Sequence, residues 1–161
     1  MSNVATTGFT REVAEVVVGA SLRVLAGLAH KSLVHWRPSS GASGRYEIHE
    51  LLRQFAAEQL DALPDEQVAG MRQRHAAYYL GLAQEAAPEL AGGPEQIVWF
   101  RRVAAEVDNF RAVLHRAVEH RKVATALQLG TALREFWMTR GYLGEGRRWL
   151  EAALTLVDQA G

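Results

Sequence analysis

Several short stretches of this 161-residue chain carry side chains that could do chemistry, and their spacing decides which of them does. His49-Glu50 opens like the helix of a zinc protease, in which a second histidine four residues after the first completes the metal pair; Arg53 occupies that place. His30-Lys31-Ser32 has the lysine and hydroxyl of a phosphate-binding loop. That loop needs glycine immediately before the lysine, so that the backbone can turn its N–H groups onto phosphate oxygens, and His30 stands there instead. His115 and His120 are five apart and do not share one face of a helix. No Ser/His/Asp set and no paired carboxylates stand out. The sequence therefore predicts no catalytic residue, no metal site and no enzyme.

His49 is set apart by where it falls. The stretch 45–49 alternates, with Tyr46 and Ile48 against Arg45, Glu47 and His49, and 33–37 alternates in the same way, with Val34 and Trp36 on one side. Between them, 38–44 holds Pro38, Gly41 and Gly44 and reads as the loop of a hairpin. A helix begins directly after His49 and carries Leu52, Phe55, Ala56, Leu60 and Leu63 inward, ending before Pro64. Upstream, a helix over about 10–18 has Thr10 as N-cap and Val13, Val17 and Val18 on one side. A second, over 21–33, has Leu22, Leu25, Leu28 and Ala29 as its buried stripe.

From Asp65 onward the pattern is helical throughout. The first helix carries Met71, Tyr78, Tyr79, Leu82 and Ala86 and stops before Pro88; Pro94 reads as a first-turn proline of the next. Phe100, Val103, Val107, Phe110, Leu114 and Ala117 then recur at three and four residues, the strongest periodic signal in the chain. Leu127, Gly130, Leu133 and Trp137 line a further helix, and Leu143, Gly146, Leu150, Ala153, Leu154 and Val157 the last. Short turns between such helices imply antiparallel neighbours.

Eighteen Lys plus Arg balance eighteen Asp plus Glu, so no net field draws the chain to nucleic acid, membrane or acidic substrates. Residues 1–62 divide evenly too: Arg11, Arg23, Lys31, Arg37, Arg45 and Arg53 against Glu12, Glu15, Glu47, Glu50, Glu58 and Asp61. A module that grips phosphates shows a basic excess, so DNA contact is not favoured, although a helix followed by a two-stranded wing is also how winged-helix DNA readers are built. Cysteine is absent. No basic leader or long apolar run marks a signal peptide or membrane span, and a cytoplasmic protein without membrane partners is expected.

In order and spacing, "GFTREVAEVV", "ASLRVLAGLAHKSLV" and "RYEIHELLRQFAAEQL" resemble the winged-helix segment of the signal-transducing STAND ATPases, in their bacterial transcription-regulator branch. "RHAAYYLGLAQEA", "WFRRVAAEVDNFRAVLHRAVEH" and "ALREFWMTRGYLGEGRRWLEAAL" resemble the helical region that leads into their tetratricopeptide-like repeats. With Gly141 as the turn glycine, Trp137, Gly146, Leu150 and Ala153 match the aromatic, small, large apolar and alanine positions of that repeat. The family's winged helix packs on its nucleotide-binding domain in the ADP-bound resting form, where the histidine of a Met-His-Asp-like triplet reaches the nucleotide phosphate. Ile48-His49-Glu50 stands at the matching place, so the resemblance implies that His49 senses nucleotide in the intact protein; a plain capping histidine is the other reading of the same position.

The expected fold is mainly α: a partial winged helix over 1–63, then an antiparallel tetratricopeptide-like helical array over 64–161. The expected role is regulatory and protein-binding, the winged helix acting in autoinhibition and the helices in sensing or partner binding. The alternative is a DNA-binding winged helix with a helical dimerisation tail. Expected partners are another protein or an adjacent nucleotide-binding domain, with a homo-oligomer formed through 9–30 or 142–157. The family's first winged-helix helix and its Walker sequence are not in these 161 residues, so the chain reads as part of a longer protein, and ATP or ADP is expected only there. Titration of this chain alone with ADP in a calorimeter is accordingly expected to give no micromolar binding, and such binding would overturn this assignment.

Overall fold

The protein was analysed as a computed structural model that describes residues 8–38 and 44–158; most of the expected hairpin loop lies outside the described residues. The chain divides into two compact units, one ending at Tyr78 and the other beginning at Tyr79. The division falls within one long helix, beyond the sequence boundary at 63.

In the first unit, β1 (Phe9–Thr10), β2 (His35–Arg37) and β3 (Arg45–Glu47) form an antiparallel sheet in the order β1-β3-β2. Tyr46 on the central strand faces both Phe9 and Trp36, and Phe9 stacks on it with ring centroids 5.7 Å apart. Between β1 and β2 lie α1 (Arg11–Val18) and α2 (Leu22–His30). Thr10 caps α1 by accepting from the Val13 N–H, and Ser21 caps α2 by accepting from the Val24 N–H. Ala14, Leu25, Val34 and Tyr46 close a small core, with Phe9, Leu28, Ala29 and Ile48 packed against it. Two helices between the first and second strands, with a hairpin completing the sheet, make a partial winged helix within a mainly α chain.

Several expected core positions are exposed. Val18 stands about 100° round the helix from the buried Val17, outside the stripe, and Leu22 lies exposed in the first turn of α2. Trp36, on the edge strand, is 55% exposed. The largest departure is α3 (Glu50–Asp61), whose stripe was expected inward: Leu52 and Leu60 are half-buried, but Phe55, Ala56 and Leu63 face solvent. Its amphipathic period is real, but among the described residues nothing covers Phe55, Ala56 and Leu63.

The long helix α4 (Asp65–Leu90) continues through Pro88, where the sequence predicted a stop. Proline there removes one N–H, but the last turn is closed by the Ala91 N–H to the Ala87 carbonyl. Near its start Arg74 donates to the Val17 carbonyl at 2.7 Å, satisfying the end of α1 within the first unit. Pro94 precedes α5 (Gln96–Ala105) by two residues and is not in its first turn.

The second unit holds the end of α4 with α5, α6 (Val107–Glu119), α7 (Val123–Ala132), α8 (Arg134–Arg140) and α9 (Leu143–Asp158). Two helices read from the sequence as continuous are each broken at a single residue, Glu106 and Leu133. Both residues sit near ψ 0°, tightening the chain by one turn, while the apolar face on either side stays in line. At the first break Glu106 is 5% exposed, the one buried charged residue among those described. Its Oε2 accepts from the Tyr79 hydroxyl at 3.0 Å and from the Asn109 amide at 2.7 Å. The Tyr79 ring meets Phe110 edge-on at 5.5 Å, fixing the hydroxyl over the break. Removing that hydroxyl leaves a buried oxygen short of a donor, so Tyr79→Phe is expected to lower stability by about 1 to 3 kcal/mol in urea unfolding. A midpoint equal to wild type would show that the break needs no such pin.

Candidate functional site

His49 is the N-cap of α3. Its backbone is extended, with φ −61° and ψ 142°, and its Nδ1 accepts from the Leu51 N–H at 3.4 Å, a long contact. The ring is exposed. Beside it Arg53 pairs with Glu50 at 2.6 Å, and that hydrogen bond holds the Glu50 carboxyl below its ordinary range. The strand-to-helix junction thus presents an imidazole at a helix N-terminus, where free N–H groups already favour an anion.

The other histidine stretches are placed where their chemistry is limited. His30, Lys31 and Ser32 stand at the C-terminal end of α2, where the Lys31 N–H bonds the Gly27 carbonyl and Ser32 takes a left-handed φ of +56°. A helix C-terminus presents carbonyls and favours cations, the reverse of a phosphate site. His115 and His120 both stand 3.9 Å from the same Glu119 oxygen, beyond ligand or hydrogen-bond distance, and the His115 ring lies edge-on to Trp149. Sequence spacing separated the two histidines by face; the helix ends at Glu119, and the turn brings His120 back toward that carboxylate.

The residues matched to the repeat meet at one place in the second unit. Gly141 ends α8 in the left-handed conformation, φ +75°, and the Tyr142 N–H returns to the Trp137 carbonyl at 2.9 Å. This turn lays α9 back along α7 and α8. A Cβ on Gly146 would strike the Trp137 ring, and one on Gly130 would lie 2.8 Å from Leu150. Both glycines therefore act as notches for the neighbouring helix's large side chain. Ala153 is fully buried beside Ala117 and Ala126, where three small residues let α6, α7 and α9 approach.

No local pattern of residues points to the ion cluster that ties α6 to α9. Arg111 donates from two nitrogens to the two oxygens of Glu145, each at 2.7 Å, and from a third to Asp108 at 2.9 Å. Its guanidinium lies 5.7 Å from the Tyr142 ring centroid. The hydrogen bond from Arg111 holds the Glu145 carboxyl below its ordinary range against the opposing effect of burial, and Glu145 in turn keeps Arg111 firmly protonated. Phe110, Leu133 and Trp137 border a crevice beside this cluster. The arrangement joins α6 to α9.

These features define a mainly α chain in which a partial winged helix precedes an antiparallel helical array. The chain is 32% identical over 127 residues, 79% of its length, to proteins from Mycobacterium bovis (strain ATCC BAA-935 / AF2122/97) and from Mycobacterium tuberculosis (strains CDC 1551 / Oshkosh and ATCC 25618 / H37Rv). Each is named "Putative HTH-type transcriptional regulator". The match spans 14% of the length of each of these relatives. No family model and no solved structure matches the chain. Among the described residues no single helix is long and apolar enough to cross a membrane.

The Glu145 carboxyl is depressed in the folded state, so its pairing stabilises the second unit fully above the ordinary carboxylate range and is lost as pH falls through the depressed value. Glu145→Gln is therefore expected to flatten the acid limb of the stability profile below about pH 4.5. Acid limbs of equal slope in the two proteins would show that the cluster is not coupled to folding.

Proposed function

We propose that this chain is a regulatory and protein-interaction segment of a STAND-type transcriptional regulator, its partial winged helix serving autoinhibition and its helical array sensing or partner binding. Similarity to the mycobacterial regulators supports the regulator class. One observation favours a protein surface over a DNA surface: the solvent face of α2, where a reader presents donors to base edges, carries Leu22, Val24, Ala26 and Gly27. Arg23 and His30 are its polar members, too few to read a base sequence and grip phosphates together.

His49 fits a nucleotide-sensing role in the intact protein through its position at the N-terminus of α3, facing outward. In the full-length protein His49→Ala is expected to speed ADP release, whereas in this chain alone it costs only about 0.3 to 1 kcal/mol, the worth of a helix-end polar contact. Unfolding of the 161-residue chain by that substitution would make His49 structural and end the sensing assignment.

The second reading, a DNA-binding winged helix with a helical dimerisation tail, is favoured by the β1-β3-β2 sheet that encloses two helices and by the relatives' description as HTH-type. The two are separated by titrating duplex DNA at rising salt. The protein-interaction reading expects no retention at physiological salt, and tight binding that falls steeply with salt would replace it with the DNA reading.

A further inference from the structure

We propose that α3 of one copy of this chain docks on α2 of a second copy, with Phe55 seated over Gly27 and Glu58 set against Lys31.

Both helices belong to the first unit, so the contact does not depend on where the second unit lies. Among the described side chains of α3 none is fully buried, and Leu51 is 68% and Phe55 58% exposed, one turn apart on one face. Glu58 follows Phe55 on that face, and its carboxylate has no partner among the described residues. α3 therefore offers a bulky apolar knob followed by a free acid.

α2 offers the reverse. Leu25, Leu28 and Ala29 turn to the core, which leaves Leu22, Ala26, Gly27 and His30 on the outer side, with Lys31 exposed at the helix end. A Cβ built on Gly27 would meet nothing within 4 Å, so the space over the backbone there is open. α2 contains no acidic residue, and neither His30 nor Lys31 has a carboxylate partner among the described residues. Within one copy the two faces do not cover each other, since both are exposed.

The faces match in register as well as in shape and charge. Leu51 and Phe55 are four residues apart, as are Leu22 and Ala26, a rise of about 6 Å in each helix. Laid parallel, Leu51 meets Leu22 when Phe55 lies over Ala26 and Gly27, and Glu58 then comes to His30 and Lys31. The opposite direction would set Leu51 against His30 and Lys31 instead. Each copy carries one face of either kind, so the contact is heterologous between copies. The face of α9 is also bare at Leu143 and Leu154, but there Arg147 and Glu151 already satisfy each other.

Sedimentation of the 161-residue chain at tens of micromolar tests this. Wild type is expected to associate, more weakly in high salt, while F55D, E58K, K31E and G27Q each weaken association about tenfold or more. These positions are exposed, so thermal melting should not fall. G27Q should raise it, because glutamine favours helix over glycine, and that separates a filled notch from a damaged fold. An equimolar mixture of E58K with K31E is expected to restore association, since every contact then pairs opposite charges. A monomeric wild type overturns the proposal, as does association that is indifferent to these variants or lost only on changing Leu143 and Leu154. A mixture that stays apart overturns it too. So does a chain that is monomeric until duplex DNA is added, which would give α2 to nucleic acid and the protein-interaction reading would fall with it; a monomer that also ignores DNA leaves that reading standing.

Discussion

The second unit depends on how closely α9 can lie on the helices before it, and that approach is set by the absence of a Cβ at two positions. Trp137 of α8 occupies the space over Gly146, and Leu150 the space over Gly130 of α7, so α9 supplies a notch to one helix and a large side chain to the other. Interlocking of this kind is directional. A Cβ at Gly146 would run into the rigid Trp137 ring, whereas one at Gly130 would meet only the tip of Leu150, a side chain able to turn aside, so the tighter constraint lies at Gly146. The left-handed turn at Gly141 and the Arg111–Glu145 pair act together at the start of α9: the turn fixes where the helix begins, and the bidentate pair in its first turn ties it to α6.

The spacing of apolar residues made most of these helices legible, and the same spacing hid their breaks. Val103, Val107, Phe110, Leu114 and Ala117 stay on one face whether or not the helix is continuous at Glu106, because one tightened turn does not shift the face. The signal of the break is polar: a glutamate at an otherwise inward position, with Tyr79 27 residues earlier as its donor. No local pattern connects them. Leu133 is harder still, since a buried leucine at a one-residue break is indistinguishable in sequence from one inside a helix.

The first unit shows the complementary limit. β1 is two residues long, too short to alternate, and exists because Phe9 and Thr10 find Tyr46 and Arg45 on β3. The stripe of α3 could be read from its period, but a period says that a face is apolar and not what covers it. Leu51 and Phe55 are therefore exposed in a helix whose pattern looks buried. The repeat glycines and Trp137 were legible because their role is local to one turn and its two flanking helices; the Arg111–Glu145 pair was not, because 34 residues separate its members.

His49 caps α3 with one ring nitrogen while its ring stays exposed. Its Nδ1 accepts from the Leu51 N–H, so that nitrogen carries no proton, and in the neutral ring the proton must sit on Nε2. The cap therefore selects the tautomer whose other nitrogen donates. An exposed Nε2–H at the head of α3 adds one directed donor to a helix end that already attracts anions through its free N–H groups. A serine or aspartate would cap α3 at least as well, but neither would project a donor beyond the helix end while its own oxygen holds the cap. A histidine at this position thus caps α3 with one nitrogen and leaves the other at the helix end.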